Sequence, residues 1–229
     1  MTERQNEHMN LTEAMKERHS VRQYIDRPLE QSIVSALQDE IRTCNQESGL
    51  HIQLVLNEPK AFDGFMAHYG KFSGVTNYIA MIGRKGPDLE ETCGYYGESL
   101  VLKAQQLGLG TCWVALTYRK VPDAFTVGSD EKLCAVITVG YGKTQGTSHR
   151  SKPLKDVIKA EGSLPEWFRS GAEAALLAPT AMNQQKFVFT LNGNKVSAKA
   201  GLGFYSKIDL GIVKYHFEIG AGKENFTWE

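Results

Sequence analysis

The chain has 229 residues, 41% hydrophobic and 10% aromatic, which suits one large domain or two small ones and is globular rather than disordered in composition. Lys plus Arg equals Asp plus Glu at 26 each, so no net field recruits nucleic acid or an anionic membrane. No apolar run reaches the length of a membrane span, Met1–Asn10 lacks the apolar core of a secretion signal, and Cys44, Cys93, Cys112 and Cys134 show no C-x-x-C spacing; a reduced, cytoplasmic setting is expected.

Asn10 with Glu13 three residues on has capping-box spacing, and Leu11, Ala14 and Met15 share one helical face, with Arg18 next on that stripe. Ser20-Val21-Arg22-Gln23-Tyr24-Ile25 then reads as extended. Alternate side chains of an extended chain share a face, which would align Arg18, Ser20 and Arg22. Two guanidinium forks and a hydroxyl on one face suit a phosphate dianion, because Arg donates bidentate, charge-assisted bonds. By itself R-x-S-x-R is weak, and a charged helix end turning into solvent explains it as well. Pro28 opens a second helical pattern carrying Ile33, Val34, Leu37 and Ile41. It leads into His51–Leu56, where Ile52, Leu54 and Leu56 alternate as in a strand.

A Gly-rich, aromatic region from Phe62 to Gly74 precedes a second strand at Tyr78–Ile82. Tyr96, Leu100, Ala104 and Leu107 form the stripe of the next helix, and Gly108 is its stop signal. Cys112–Leu116 and Leu133–Val139 are continuous apolar runs, the second with the character of a strand buried on both faces. Gly140–Lys152 is polar and Gly-bearing, the best candidate boundary, so residues 1–155 and 156–229 are expected to form two halves. Helix, helix, strand, strand, helix, strand is an α+β order rather than a regular βαβ array.

From Leu164 the pattern returns. Placing Leu164 on Leu29 (164 − 29 = 135) also places Leu176 on Ile41, Phe187 on Ile52, Phe189 on Leu54 and Leu191 on Leu56. Further on, Gly220 and Gly222 fall on Gly108 and Gly110 (220 − 108 = 112), which makes the second copy 23 residues shorter between those landmarks (135 − 112). Identity between the copies is slight, and chance is the alternative to a degenerate internal duplication.

With both copies in view, the chain resembles the FMN-dependent nitroreductase and flavin reductase family, in the branch where one chain contains both halves of what is normally a homodimer. The match rests on Arg18-His19-Ser20-Val21-Arg22, Leu107–Trp113, Val139-Gly140-Tyr141-Gly142 with Lys152-Pro153-Leu154, and Ala178–Gln185. The resemblance covers about Leu11 to Gly222. It implies an α+β nitroreductase-like fold, a mixed sheet with flanking helices, and an intrachain pseudo-dimer with FMN in the interface. Its site would take Arg18, His19, Ser20 and Arg22 from the first copy and Pro179, Thr180, Ala181, Asn183 and Gln185 from the second. The first copy's counterpart of that second loop, Cys44-Asn45-Gln46-Glu47-Ser48, departs from the family pattern. The second copy has no Arg-x-Ser-x-Arg, so one complete site and one ruined site are expected.

By the same resemblance Lys71 lies near the pyrimidine edge of the flavin, Val114, Ala115 and Leu116 present backbone amides toward its N5, and Arg150 and Lys152 finish the phosphate pocket. A solvated surface explains Lys71, Arg150 and Lys152 equally. The implied activity is oxidoreduction, with NADH or NADPH as hydride donor and a planar small-molecule acceptor such as a nitroaromatic or quinone. The competing reading is a non-enzymatic flavin-binding protein for storage or sensing, and a structural protein without flavin is a third. No catalytic side chain is assigned. No nucleic-acid, membrane or metal partner is expected, and one chain can suffice as a monomer. Val139–Thr144 resembles the end of a P-loop, but Ile137 stands where that motif needs Gly and no helix pattern follows. Gly108-x-Gly110 follows a helix, not a strand, against a Rossmann turn.

Overall fold

The computed structural model describes residues 9–229, so the expectation for Met1–Asn10 lies largely outside the described residues. In chain order the elements are α1 (Leu11–Glu17), α2 (Gln31–Ser48), β1 (Gln53–Val55), α3 (Phe65–Tyr69), β2 (Tyr78–Arg84), α4 (Leu89–Gln106), β3 (Gly110–Val114) and β4 (Glu131–Gly140). The second half adds β5 (Ile158–Lys159), α5 (Glu166–Ala175), β6 (Phe187–Asn192), β7 (Lys195–Ala200), α6 (Ser206–Ala221) and β8 (Thr227–Trp228). No helix among the described residues is long and apolar enough to cross a membrane.

Local signals set several of these boundaries. The capping box forms at α1: Glu13 N–H donates to Asn10 Oδ1 at 2.9 Å, and Asn10 N–H donates to Glu13 Oε2 at 3.0 Å. Gly108 takes φ +76° just past α4, where only a residue without Cβ is unstrained. The strands form two four-stranded sheets, β1-β2-β4-β3 and β5-β6-β7-β8. The first is wholly antiparallel, and the mixed character belongs to the second, where β5 and β8 run parallel to their neighbours.

Period-two alternation gives the first sheet two buried faces. Ile79, Met81, Ile137 and Val139 pack with Leu37, Ile41 and Leu100 of the helices, whereas Tyr78, Ala80 and Val136 pack with Phe62 and Phe72 on the other side. The second half has its own core around Phe168, Phe187, Phe189, Phe217 and Phe226, with the Phe189 and Phe217 rings 4.4 Å apart.

The duplication is visible in the packing. Helices α4 and α6 cross at Gly94 and Gly211. A Cβ on Gly94 would fall on the Ile208 carbonyl oxygen, and one on Gly211 would fall on the Glu91 carbonyl oxygen. The contact is reciprocal, since Ile208 and Ile212 stand to Gly94 as Glu91 and Tyr95 stand to Gly211. The helix equivalence is therefore 117 residues (211 − 94), not the 112 suggested by the glycines after the helices, and the second copy is shorter by 18 (135 − 117). The earlier offset holds: α2 begins at Gln31 and α5 at Glu166, 135 residues apart (166 − 31).

The two helices end differently for a local reason. Pro179 disfavours helical backbone in the residue before it, so α5 stops and a loop follows. Cys44 stands at the equivalent position in the first copy (179 − 135) and permits helix, so α2 continues to Ser48 and closes on Gly49 at φ +70°. The first copy thus has helix where the second has the Pro179–Gln185 loop.

Candidate functional site

A cavity of about 730 Å³ opens between the halves, within the usual range for small-molecule sites. The first half contributes Ser20, Arg22, Lys71 and Val114–Thr117; the second contributes Pro179–Met182, Tyr205 and Asp209.

The Ser20–Ile25 stretch is extended and stitched to three segments. Val21 N–H donates to the Thr111 carbonyl, Tyr24 N–H to that of Ser73 and Ile25 N–H to that of Tyr141, each at 2.9 Å. Val21 and Tyr24 are buried anchors, and the Tyr24 hydroxyl lies 2.7 Å from both the Val21 carbonyl and Thr138 Oγ1. With those side chains turned inward, Ser20 and Arg22 are left on the cavity wall. Arg22 is exposed and has no ion-pair partner among the described residues. Lys71 follows α3 in left-handed backbone at φ +62°.

Arg18 does not share that face. It caps the C-terminus of α1, which packs on α4, and its side chain is buried with Nε 4.0 Å from Glu98 Oε1. That Nε has no hydrogen-bond partner. Glu98 is a fully buried hub: Trp113 Nε1 donates to its Oε2 at 2.9 Å, and His216 Nε2 lies 2.8 Å from its Oε1. It therefore joins the start of the chain, β3 and the second half's α6. His19 is half-buried beside Arg18, and burial followed by the Arg18 charge lowers its pKa.

Asn183, Gln185, Arg150 and Lys152 come together, but not on the cavity wall. Gln185 Nε2 donates to the Arg150 carbonyl at 2.8 Å and to Asn183 Oδ1 at 2.7 Å, while Lys152 N–H donates to Gln185 Oε1 at 2.8 Å. Asn183 Nδ2 donates to the Arg150 carbonyl at 3.0 Å, and Lys152 Nζ to the Gln185 carbonyl at 2.9 Å. These bonds fasten the loop against the 150–152 segment and hold Met182, Asn183 and Gln185 at φ 50°, 54° and 45°, a conformation costly for non-glycine residues.

Sequence reasoning missed the wall made by the turn into α6. There Asp209 Oδ1 accepts Ala181 N–H at 2.9 Å, and Oδ2 accepts Gln184 Nε2 at 2.7 Å; the same Gln184 Nε2 also reaches the Phe204 carbonyl at 2.8 Å. Burial pushes the Asp209 carboxyl up to about 6 against the opposing pull of the two N–H donors. The available signal was a lone acid inside Ile208–Val213, a run that is buried throughout. Tyr69, Leu116, Met182 and Phe204 line the cavity and yet are more than two-thirds exposed, which makes its mouth apolar. The cavity thus has a hydroxyl and cations on its first-half wall and an apolar rim drawn from both halves. That donor set fits an anionic ligand with a flat apolar body.

The profile described as "Putative TM nitroreductase" matches residues 10–221. A crystal structure described as a putative nitroreductase from Thermotoga maritima is 24% identical, covers 96% of this chain and 88% of its own, and superposes with a TM-score of 0.67. Two further structures align nearly whole onto about two-thirds of the chain. One, from Desulfovibrio desulfuricans, is described as a putative nitroreductase in complex with FMN (16% identity, 68% of this chain, 98% of its own, TM-score 0.52). The other, from Bacteroides thetaiotaomicron, is described as a putative NADH dehydrogenase/NAD(P)H nitroreductase (18% identity, 64% of this chain, 95% of its own, TM-score 0.51). No curated protein matches. With its α+β pseudo-dimer fold and a profile match over nearly its whole described length, the chain belongs to the nitroreductase-like family of that profile.

Proposed function

We propose that the chain is an FMN-dependent oxidoreductase that uses NADH or NADPH to reduce a planar acceptor such as a quinone or nitroaromatic. The observation that carries this reading is a cavity walled by Ser20, Arg22, Lys71 and Val114–Leu116 from one half and Pro179–Ala181 from the other. Family membership supports it, as does the FMN in the Desulfovibrio relative. When bound, the flavin supplies the hydride chemistry, accepting from the nicotinamide and passing on to the acceptor.

The chain's own residues bind and orient. Ser20 and Arg22 would hold the phosphate, a hydroxyl and a fork without a competing carboxylate. Lys71, on the same wall, would supply positive charge to favour a ring that gains negative charge on reduction. Val114, Ala115 and Leu116 would meet the ring from the first half, and Pro179, Thr180 and Ala181 from the second. Gln185, Asn183, Arg150 and Lys152 fasten that second wall from behind. The rim of Tyr69, Leu116, Met182 and Phe204 gives a flat apolar acceptor a surface to stack on. Chromatography of the cofactor released from purified protein, with NAD(P)H oxidation assayed against a quinone, tests the reading. FMN and acceptor-dependent oxidation are expected. FAD, or no flavin, refutes it, and FMN without oxidation leaves only a flavin-binding role.

A further inference from the structure

Reduction of a carbonyl or nitro acceptor requires a proton in addition to the hydride, and the cavity has a group placed to supply it. Asp209 is the only carboxyl-bearing side chain on the cavity wall among the described residues. The wall's other ionisable side chains are Arg22, Lys71, the Tyr69 and Tyr205 phenols, and the Cys112 thiol, which burial pushes up. Asp209 has no ion-pair partner among the described residues. Ala181 N–H and Gln184 Nε2 each occupy one of its oxygens, so the carboxyl is fixed in position. Each oxygen keeps a further lone-pair site.

Resting on the oxidoreductase reading above, we propose that Asp209 is a catalytic acid that donates the proton joining the hydride on the reduced acceptor. With a quinone, the hydride that originates on NAD(P)H would bring one proton and two electrons to the acceptor, which leaves one proton still to be supplied. Asp209 gives the second proton to the other oxygen; its O–H bond breaks as the acceptor O–H bond forms, and the pair remains on the carboxylate. Water entering through the open mouth restores the proton. The environment suits the task, because burial has raised the carboxyl to about 6, and a ring covering it removes further water and raises it again.

Asp209→Asn tests this, since the amide keeps an acceptor for Ala181 N–H but cannot ionise. Two readouts are paired. In the cofactor-free protein, infrared difference spectra across a pH titration should show a protonated carboxyl band that titrates near 6 and is missing from the variant. In the FMN-loaded protein, quinone is compared with ferricyanide, an acceptor that takes electrons without a proton. The ratio of quinone to ferricyanide turnover should fall about a hundredfold in Asp209→Asn. Asp209→Glu, which keeps an acid, should recover much of that ratio. An unchanged ratio, whether both rates fall together or neither falls, overturns the proposal, as does a carboxyl that does not titrate between pH 5 and 8. Wild-type protein that holds FMN but oxidises no NAD(P)H refutes the oxidoreductase reading and this one with it, and the infrared titration still shows whether the carboxyl was correctly described.

Discussion

Replacing the two arginines of Arg18-His19-Ser20-Val21-Arg22 one at a time separates binding from folding. Arg22 is exposed on the cavity wall with no ion-pair partner among the described residues, so Arg22→Ala strands no buried group. Its effect on stability should stay within about 0.5 kcal/mol. A lost charge-assisted contact to phosphate is worth about 1.5–3 kcal/mol, roughly a ten- to hundredfold weaker Kd for FMN. Arg22→Lys should restore only part, because the fork is gone. Arg18 behaves in the opposite way. It is 4% exposed, and Glu98 opposite it is 0% exposed, so Arg18→Ala removes the cation beside a buried carboxylate. Breaking such a pair costs about 3–5 kcal/mol. The 4.0 Å separation, and the partners Glu98 keeps in Trp113 and His216, place this case near 3 kcal/mol. In a chain of this size that lowers the Tm by about 6–12 °C. Flavin-fluorescence titration and thermal denaturation of the cofactor-free protein measure the two effects. Unchanged FMN affinity in folded Arg22→Ala refutes the phosphate assignment, and an unchanged Tm in Arg18→Ala refutes the burial argument.

Three further outcomes follow from the packing. Gly94→Ala puts a methyl onto the Ile208 carbonyl oxygen at the α4–α6 crossing, and should destabilise by about 3 kcal/mol or prevent folding; a Tm equal to wild type would mean the helices do not approach so closely. Gln185→Ala removes the bonds that tie the 183–185 loop to residues 150–152, which should cost about 1–3 kcal/mol and weaken FMN binding although Gln185 is not on the cavity wall; undiminished affinity in a calorimetric titration would contradict that. Asp209 has its folded-state pKa raised from 3.8 to about 6, so the native state binds the proton more tightly and this carboxyl's contribution to stability declines as pH rises from about 4 to about 6. Relative to Asp209→Asn, cofactor-free wild type should lose about 3 kcal/mol across that window in urea denaturation, and a constant difference would refute the shift.

The elements with strong local signals were legible in the sequence. Asn10 and Glu13 announce α1, the alternation in β1 and the apolar runs of β3 and β4 announce strands, and the 135-residue offset places α5 and β6. The contents of the cavity were legible where alternation decides orientation, as at Ser20 and Arg22. What the sequence concealed depends on tertiary geometry. The motif treats Arg18 as equivalent to Arg22, but the end of α1 turns Arg18 toward Glu98, 80 residues away in sequence (98 − 18). Asn183, Gln185 and Lys152 are ligand contacts by the resemblance, whereas their hydrogen bonds run to one another and to the carbonyl of Arg150, whose side chain is exposed. Gly94 and Gly211 lie inside helices, where glycine is unfavourable unless backbones approach closely. That signal would have given the 117-residue helix offset, while the glycines after the helices reflect only how each helix stops. Asp209 was hidden because a single acid in an apolar helix announces burial without saying which cavity it faces.

The central prediction is that one chain, by folding two unequal copies together, makes one complete cofactor cavity. The arginine-bearing stretch occurs once, and the first copy has α2 where the second has the Pro179–Gln185 loop. Light scattering combined with flavin absorbance on the same reconstituted sample measures mass and stoichiometry together. One FMN per chain, in a particle that can have the 25.5 kDa mass of a single chain, is the predicted result. Two FMN per chain, or flavin bound only by particles of two or more chains, would contradict it.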